Sequence, residues 1–309
     1  MKSKLIRMMF RPSSFCFVLI LTLLGCRNDE QGNTKDAELP VDLLNQLSFP
    51  SDKFKSKRTI DPVFDRKRDS LNVLYVGNSY LSYRPIVKDE RAPLSVYHQF
   101  NRMLEESGIT VKNTRFSIGG GTLKEHWETG NGSETARGKI ESEAFDLLVI
   151  QGRYDIHREA KFEARFDSYF DKFAELAKRH KVETVLFGLW ATDKQISPNN
   201  DSFGPKAHEI YQRAALRNTV FYSPTGLGYS TMYEYLSKSF AESQIETFLT
   251  DDQIHPSPTL AYLAASMLFT RVVGFSAEGG DQFSPEEVNP KISEIARMIS
   301  LWAIAEFGH

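Results

Sequence analysis

The 309-residue chain is predicted to fold as a three-layer α/β domain around a mostly parallel sheet. Two observations predict it. Short apolar runs alternate with segments of helical spacing, the signature of successive βαβ units. Runs such as FDLLVI at 145–150 are apolar on both faces, as the central strands of a parallel sheet must be.

The elements follow in order. Residues 71–76 form a short apolar strand that ends at Gly77-Asn78. Residues 94–106 have helical periodicity, with Val96, Phe100, Met103 and Leu104 on one side, and stop at Gly108. Strands are expected at 111–118, 145–150, 184–189 and 220–222. Helices are expected at 160–179, 205–216, 230–241, 258–273 and 289–305.

Composition narrows the function. The chain is 41% hydrophobic and 25% charged, with a formal net charge of -2. Near-neutrality removes the electrostatic basis for general nucleic-acid binding. The two cysteines, Cys16 and Cys26, are too few for a disulfide framework or a cysteine-ligated zinc. His98, His157, His180 and His208 lack the paired spacing of a metal motif. Neither metal nor cofactor is expected.

The N-terminus reads as an export signal. Lys2, Lys4, Arg7 and Arg11 precede an apolar run at 15–24, shorter than the roughly 20 residues a spanning helix needs. The run ends in Leu23-Leu24-Gly25-Cys26, which resembles the bacterial lipobox. That resemblance implies cleavage before Cys26 and lipidation of its thiol. The polar stretch 27–33 resembles the acidic export tags of some Gram-negative surface lipoproteins. Residues 1–25 are thus expected as a lipoprotein signal peptide and 26–69 as the lipidated cysteine with a polar linker. Its one apolar cluster is the amphipathic piece 41–47. Residues 70–309 are the folded domain. The expected location is the bacterial cell envelope, at the outer membrane or cell surface.

Ligands of open α/β sheets bind beyond the carboxyl ends of the strands. Four strand-end segments carry chemistry. The first, Gly77-Asn78-Ser79-Tyr80, places a hydroxyl where it can attack an electrophile if a base is near; the same residues also suit an ordinary turn. The second, Gly119-Gly120-Gly121-Thr122, bares backbone N–H groups or simply makes a turn. It is not the Gly-x-Gly-x-x-Gly of dinucleotide loops. The third, Gln151-Gly152-Arg153, offers a side-chain amide that either meets developing negative charge or closes the strand. In the fourth, Asp251-Asp252-Gln253-Ile254-His255, the acid three residues before the imidazole can fix its tautomer.

Together, GNSY, the Gly-Gly-Gly-Thr loop, the strand-end Gln-Gly and DQIH resemble the four motif blocks of SGNH (GDSL-type) hydrolases, over about residues 71–273. The segment IGGGTLKEHW is similar to one branch of SGNH-like bacterial proteins. The resemblance implies a flavodoxin-like α/β/α fold and serine esterase chemistry. On the family pattern Ser79 matches the nucleophile, His255 the general base and Asp252 its acidic partner. Gly120 N–H and Ser79 N–H match oxyanion donors. Two departures stand out. Gly-Asp-Ser is Gly-Asn-Ser here, and the third block lacks its asparagine. Gln151-Gly152 instead resembles the sialate- and xylan-acetylesterase branch, which assigns Gln151 the missing oxyanion donor.

Substrate contacts are expected from Asn78, His126, Trp127 and Trp190, the last three presenting rings to a sugar or else packing in the core or rim. The resulting expectation is removal of O-acyl, chiefly O-acetyl, groups from an acylated glycan. A lipid esterase or acyltransferase with the same triad, and a catalytically silent glycan-binding domain, are the alternatives.

Overall fold

In the computed structural model, the described residues are 39–54, 56, 58–87, 90–153, 155–190, 203–252, 254–275 and 283–308. Cys16, Cys26, the apolar run at 15–24 and the polar stretch 27–33 lie outside them. No helix among the described residues is long and apolar enough to cross a membrane.

Helix α1 (Val41–Gln46) and a 3-10 turn (Ser51–Phe54) precede the first strand, β1 (Ser70–Gly77). A single turn, α2 (Ser79–Ser82), leads to a small hairpin of β2 (Ile86–Val87) and β3 (Glu90–Arg91). Then come α3 (Val96–Glu106), β4 (Thr110–Ser117), α4 (Leu123–Glu128), α5 (Ala136–Ser142) and β5 (Leu147–Gln151). They are followed by α6 (Ala160–Arg179), β6 (Glu183–Phe187), α7 (Phe203–Asn218) and β7 (Phe221–Ser223). Four helices finish the chain: α8 (Thr225–Leu236), α9 (Glu242–Leu249), α10 (Pro258–Val272) and α11 (Pro290–Phe307).

The five long strands pair in parallel in the order β4-β1-β5-β6-β7. Counted along the sheet this is 2-1-3-4-5, the flavodoxin-like arrangement, whose topological switch lies between β1 and β5. Helices α3, α10 and α11 pack on one side, and α4, α5 and α6 pack together on the other. Every residue of β5 is buried, whereas the edge strand β4 alternates between partly and fully exposed positions. Helix α10 is buried along its whole length, as its sequence, apolar all round, demands. Register sets Gly77 opposite Ser117, with Val76 opposite Ile150. The loops after β1, β4 and β5 therefore emerge at one rim.

Two expectations are corrected. Residues 39–69 are more than a linker lying along the domain surface. Leu39, Leu44 and Leu47 are buried in the core. Phe49 stacks on Phe54 and meets Tyr235 edge-on, and Phe54 meets Trp302 of α11. The backbone N–H groups of Val63 and Phe64 donate to the carbonyls of Arg271 and Val272, while buried Arg271 donates to the carbonyls of Asp61 and Gly308. A few apolar side chains at helical spacing are enough to dock a segment whose average composition is polar. Leu44→Ala is accordingly expected to cost about 2–4 kcal/mol in urea unfolding; an undocked linker would leave the midpoint unchanged.

The helix expected at 230–241 instead begins at Thr225 and ends at Leu236, with α9 following separately. Its first turn holds Gly226, where an added Cβ would lie 2.0 Å from the Leu189 carbonyl oxygen. Close backbone packing demands a residue that, read locally, breaks helices.

Candidate active site

The turn after β1 carries Ser79 at the first position of α2. Asn78 caps that helix: its Oδ1 accepts the Tyr80 N–H at 3.1 Å. Ser79 is thereby held half-buried at the rim, beside the β1/β5 switch.

His255 arrives from the loop between α9 and α10. That loop is pinned at its base, with Asp251 N–H donating to the His255 carbonyl and Ser257 N–H to the Leu249 carbonyl. Ser257 also caps α10 through Leu260 N–H. Asp252 organises the loop from within. Its Oδ1 accepts the backbone N–H groups of Ile254 and His255, and its Oδ2 lies 2.7 Å from His255 Nδ1. Burial raises the Asp252 pKa, but the His255 backbone and ring N–H donors outweigh it and leave the carboxyl below its usual value. With Nδ1–H committed to this carboxylate, Nε2 is the acceptor for the Ser79 hydroxyl, 2.8 Å away. Residues 176 positions apart thus meet as a Ser–His–Asp chain.

Tyr83 was not among the residues singled out from the sequence. Its ring stacks on the His255 imidazole at 4.2 Å with an interplanar angle of 6°. Its hydroxyl donates to Asp251 Oδ2 at 2.5 Å, and burial, then this bond, pushes the phenol up to about 12. The Arg91 guanidinium sits over the Tyr83 ring at 4.8 Å. The signal available was helical spacing, since Tyr83 follows Ser79 by one turn.

The glycine loop after β4 turns at Ile118–Gly121, where Gly121 N–H donates to the Ile118 carbonyl at 2.8 Å. Gly120, at the third position, has φ +62, the left-handed conformation that glycine adopts without strain. Gly120 N–H has no acceptor among the described residues, and neither has Ser79 N–H.

Asn78 and Gln151 occupy different roles from those expected. Asn78 is 2% exposed and makes no surface for substrate. Its Nδ2 donates to the Gly121 carbonyl at 3.2 Å, and its Oδ1 accepts Gln151 Nε2 at 2.5 Å. It therefore ties together the turn after β1, the glycine loop and the end of β5. Gln151 is 1% exposed, and its Nε2 donates to Asn78 Oδ1 and, at 3.1 Å, to the Gly152 carbonyl. An amide nitrogen has two hydrogens. Both are engaged, so none is left for an oxyanion.

The aromatic candidates also move inward. His126 is 3% exposed, and its Nε2 lies 2.7 Å from the Gly77 carbonyl, to which it donates. Burial lowers its pKa, and the ring clamps the end of β1. Trp190 is 1% exposed and packs behind Tyr80, their centroids 5.1 Å apart. Trp127 meets Phe173 of α6 edge-on at 5.1 Å, with Arg137 over its ring. These three rings serve packing. Among the described residues no three His, Cys, Asp or Glu side chains cluster as metal ligands.

A scan of protein families finds no match to the chain, and a search of curated proteins finds none. Solved structures do match. A DUF4886 family protein from Bacteroides uniformis superposes with TM-score 0.59 at 16% identity, over 77% of this chain and 96% of that one. A candidate SGNH hydrolase from Slackia heliotrinireducens gives 0.46 at 18% identity, over 65% and 98%. An acetylxylan esterase from Geobacillus stearothermophilus gives 0.47 at 14% identity, over 68% and 97%. The chain shares its α/β/α fold with the Bacteroides protein across nearly all of that protein's length.

Proposed function

We propose that this protein is a serine ester hydrolase that removes short O-acyl groups, chiefly O-acetyl, from carbohydrate. The observation that carries the reading is the unbroken chain Ser79 Oγ–His255 Nε2 at 2.8 Å and His255 Nδ1–Asp252 Oδ2 at 2.7 Å, half-exposed at the ligand-binding rim. His255 takes the Ser79 proton as Oγ attacks the ester carbonyl. Ser79 N–H and Gly120 N–H meet the oxyanion. Collapse of the tetrahedral intermediate breaks the C–O bond, and His255 returns the proton to the departing alcohol. Water then enters by the same route, releasing the acid and restoring Ser79. Asp252 holds the imidazole tautomer throughout.

A polar rim supports a polar substrate. Ser117, Gly119 and Gly120 beside the triad are exposed, whereas the large exposed apolar side chains among the described residues are Val41, Leu43, Leu216 and Leu301, on other elements. The lipobox-like LLGC ending supports anchorage in the cell envelope through Cys26. Globomycin is expected to leave a larger precursor, and an unchanged size on gels would remove the anchor from this account.

A fluorophosphonate probe tests the chemistry. Wild-type protein is expected to carry the label on Ser79 by peptide mass mapping, and Ser79→Ala to carry none. An unlabelled wild type identifies the silent glycan-binding alternative. Acyl transfer to a glycan alcohol exceeding hydrolysis identifies the acyltransferase.

A further inference from the structure

Three arginines gather beside the triad. Arg91 covers Tyr83, and Tyr83 in turn covers the His255 ring. Arg84 and Arg91 brace each other: Arg84 donates to the Arg91 carbonyl at 3.1 Å and Arg91 to the Arg84 carbonyl at 2.9 Å. Arg115 lies over Tyr97 at 4.6 Å. It stands two residues before Ser117, whose Oγ is 2.6 Å from Ser82 Oγ in the helix that Ser79 begins.

All three guanidiniums are exposed, and among the described residues none has a carboxylate within 4.0 Å. Elsewhere Arg58, Arg68, Arg137, Arg153, Arg213 and Arg217 each pair with an acid. The acids nearest the triad are committed, Asp251 to Tyr83 and Asp252 to His255. His98 adds no charge. Burial, then the charges of Arg84 and Arg115, lowers its pKa to about 4. Stacking on tyrosine faces holds a guanidinium flat and leaves its N–H edge for a planar anion.

We infer that the Arg84–Arg91–Arg115 rim binds carboxylates of the substrate, so that the esters cleaved at Ser79 are carried on an acidic, uronate-containing glycan. This rests on the esterase reading and names its substrate class. A formal net charge of -2 gives no general electrostatic basis for nucleic-acid binding, and a rim site next to the nucleophile suits an anionic sugar adjoining the acylated one.

The test compares acetate release from O-acetylated polygalacturonate with release from the same polymer after methyl esterification of its carboxyls. The free-acid polymer is expected to be cleaved with about tenfold higher kcat/KM, a preference that narrows as salt rises. The Arg84→Gln/Arg115→Gln double variant is expected to lower the free-acid value to that of the methyl ester, with p-nitrophenyl acetate hydrolysis unchanged. Equal rates on the two polymers, equal loss on all three substrates, or acetate release from neither polymer by an enzyme active on p-nitrophenyl acetate overturns the inference. Acetate release that persists in Ser79→Ala overturns the esterase reading instead.

Discussion

Ser79→Ala is expected to lower p-nitrophenyl acetate kcat/KM by on the order of 10³-fold or more while leaving the melting temperature within a few degrees of wild type. The two halves of this expectation have separate causes. Deleting Oγ removes the atom that bonds to the acyl carbon, and among the described residues no other hydroxyl is placed against His255 Nε2. Structurally, the lost hydrogen bond is at a half-exposed position, where water reaches the imidazole, so no buried group is stranded. The residual rate would come from the backbone donors and binding alone. Steady-state kinetics with a thermal melt on the same sample checks both halves. A variant with wild-type turnover would remove Ser79 as nucleophile.

The second large effect is at Asn78. Asn78→Asp keeps an acceptor for Tyr80 N–H and Gln151 Nε2 but loses the donor to the Gly121 carbonyl, and sets a carboxylate oxygen against that carbonyl. A stranded buried acceptor costs about 1–3 kcal/mol, which is expected to appear as a lower melting temperature. The glycine loop, pushed from Asn78, also misplaces Gly120. Loss of one well-set oxyanion donor reduces kcat by about 10²-fold or more. KM is expected to change less, because Asn78 lies behind the rim and not on it. Asn78→Asp with wild-type kcat would show that this carbonyl does not set the loop. The GDSL-type families use aspartate where this chain has asparagine, and here the exchange is coupled to Gln151: one amide donates to the next, and the next to a backbone carbonyl.

The legible parts of the molecule were those governed by short-range pattern. Local pattern located all five strands of the parallel sheet, and the rule that such sheets bind ligands beyond their carboxyl ends put Ser79, Gly120 and His255 at one rim. The Asp252–His255 spacing read correctly because one turn of backbone closes that contact. Gln151 misled because a strand-end amide looks free until its partners are known. Only three-dimensional proximity reveals that Asn78 and the Gly152 carbonyl have taken its hydrogens. Trp190 misled for a related reason: position after a strand says nothing of which way a ring turns, and the ring turned toward Tyr80. Helix α4 had a readable start, the Thr122-x-x-Glu125 capping box, in which Thr122 N–H donates to Glu125 Oε2 and Glu125 N–H to Thr122 Oγ1. The pattern was overshadowed by the glycines just before it.

The docked segment 39–69 has a mechanical consequence. Tension applied at Leu39 meets the Phe54–Trp302 contact, the Ser56–Glu306 hydrogen bond and the Arg271 clasp before it reaches β1. These fastenings route the load into the two long helices at the end of the chain, α10 and α11. The strand that leads to Ser79 is spared the pull, so a load applied at Leu39 need not change the distance between hydroxyl and imidazole.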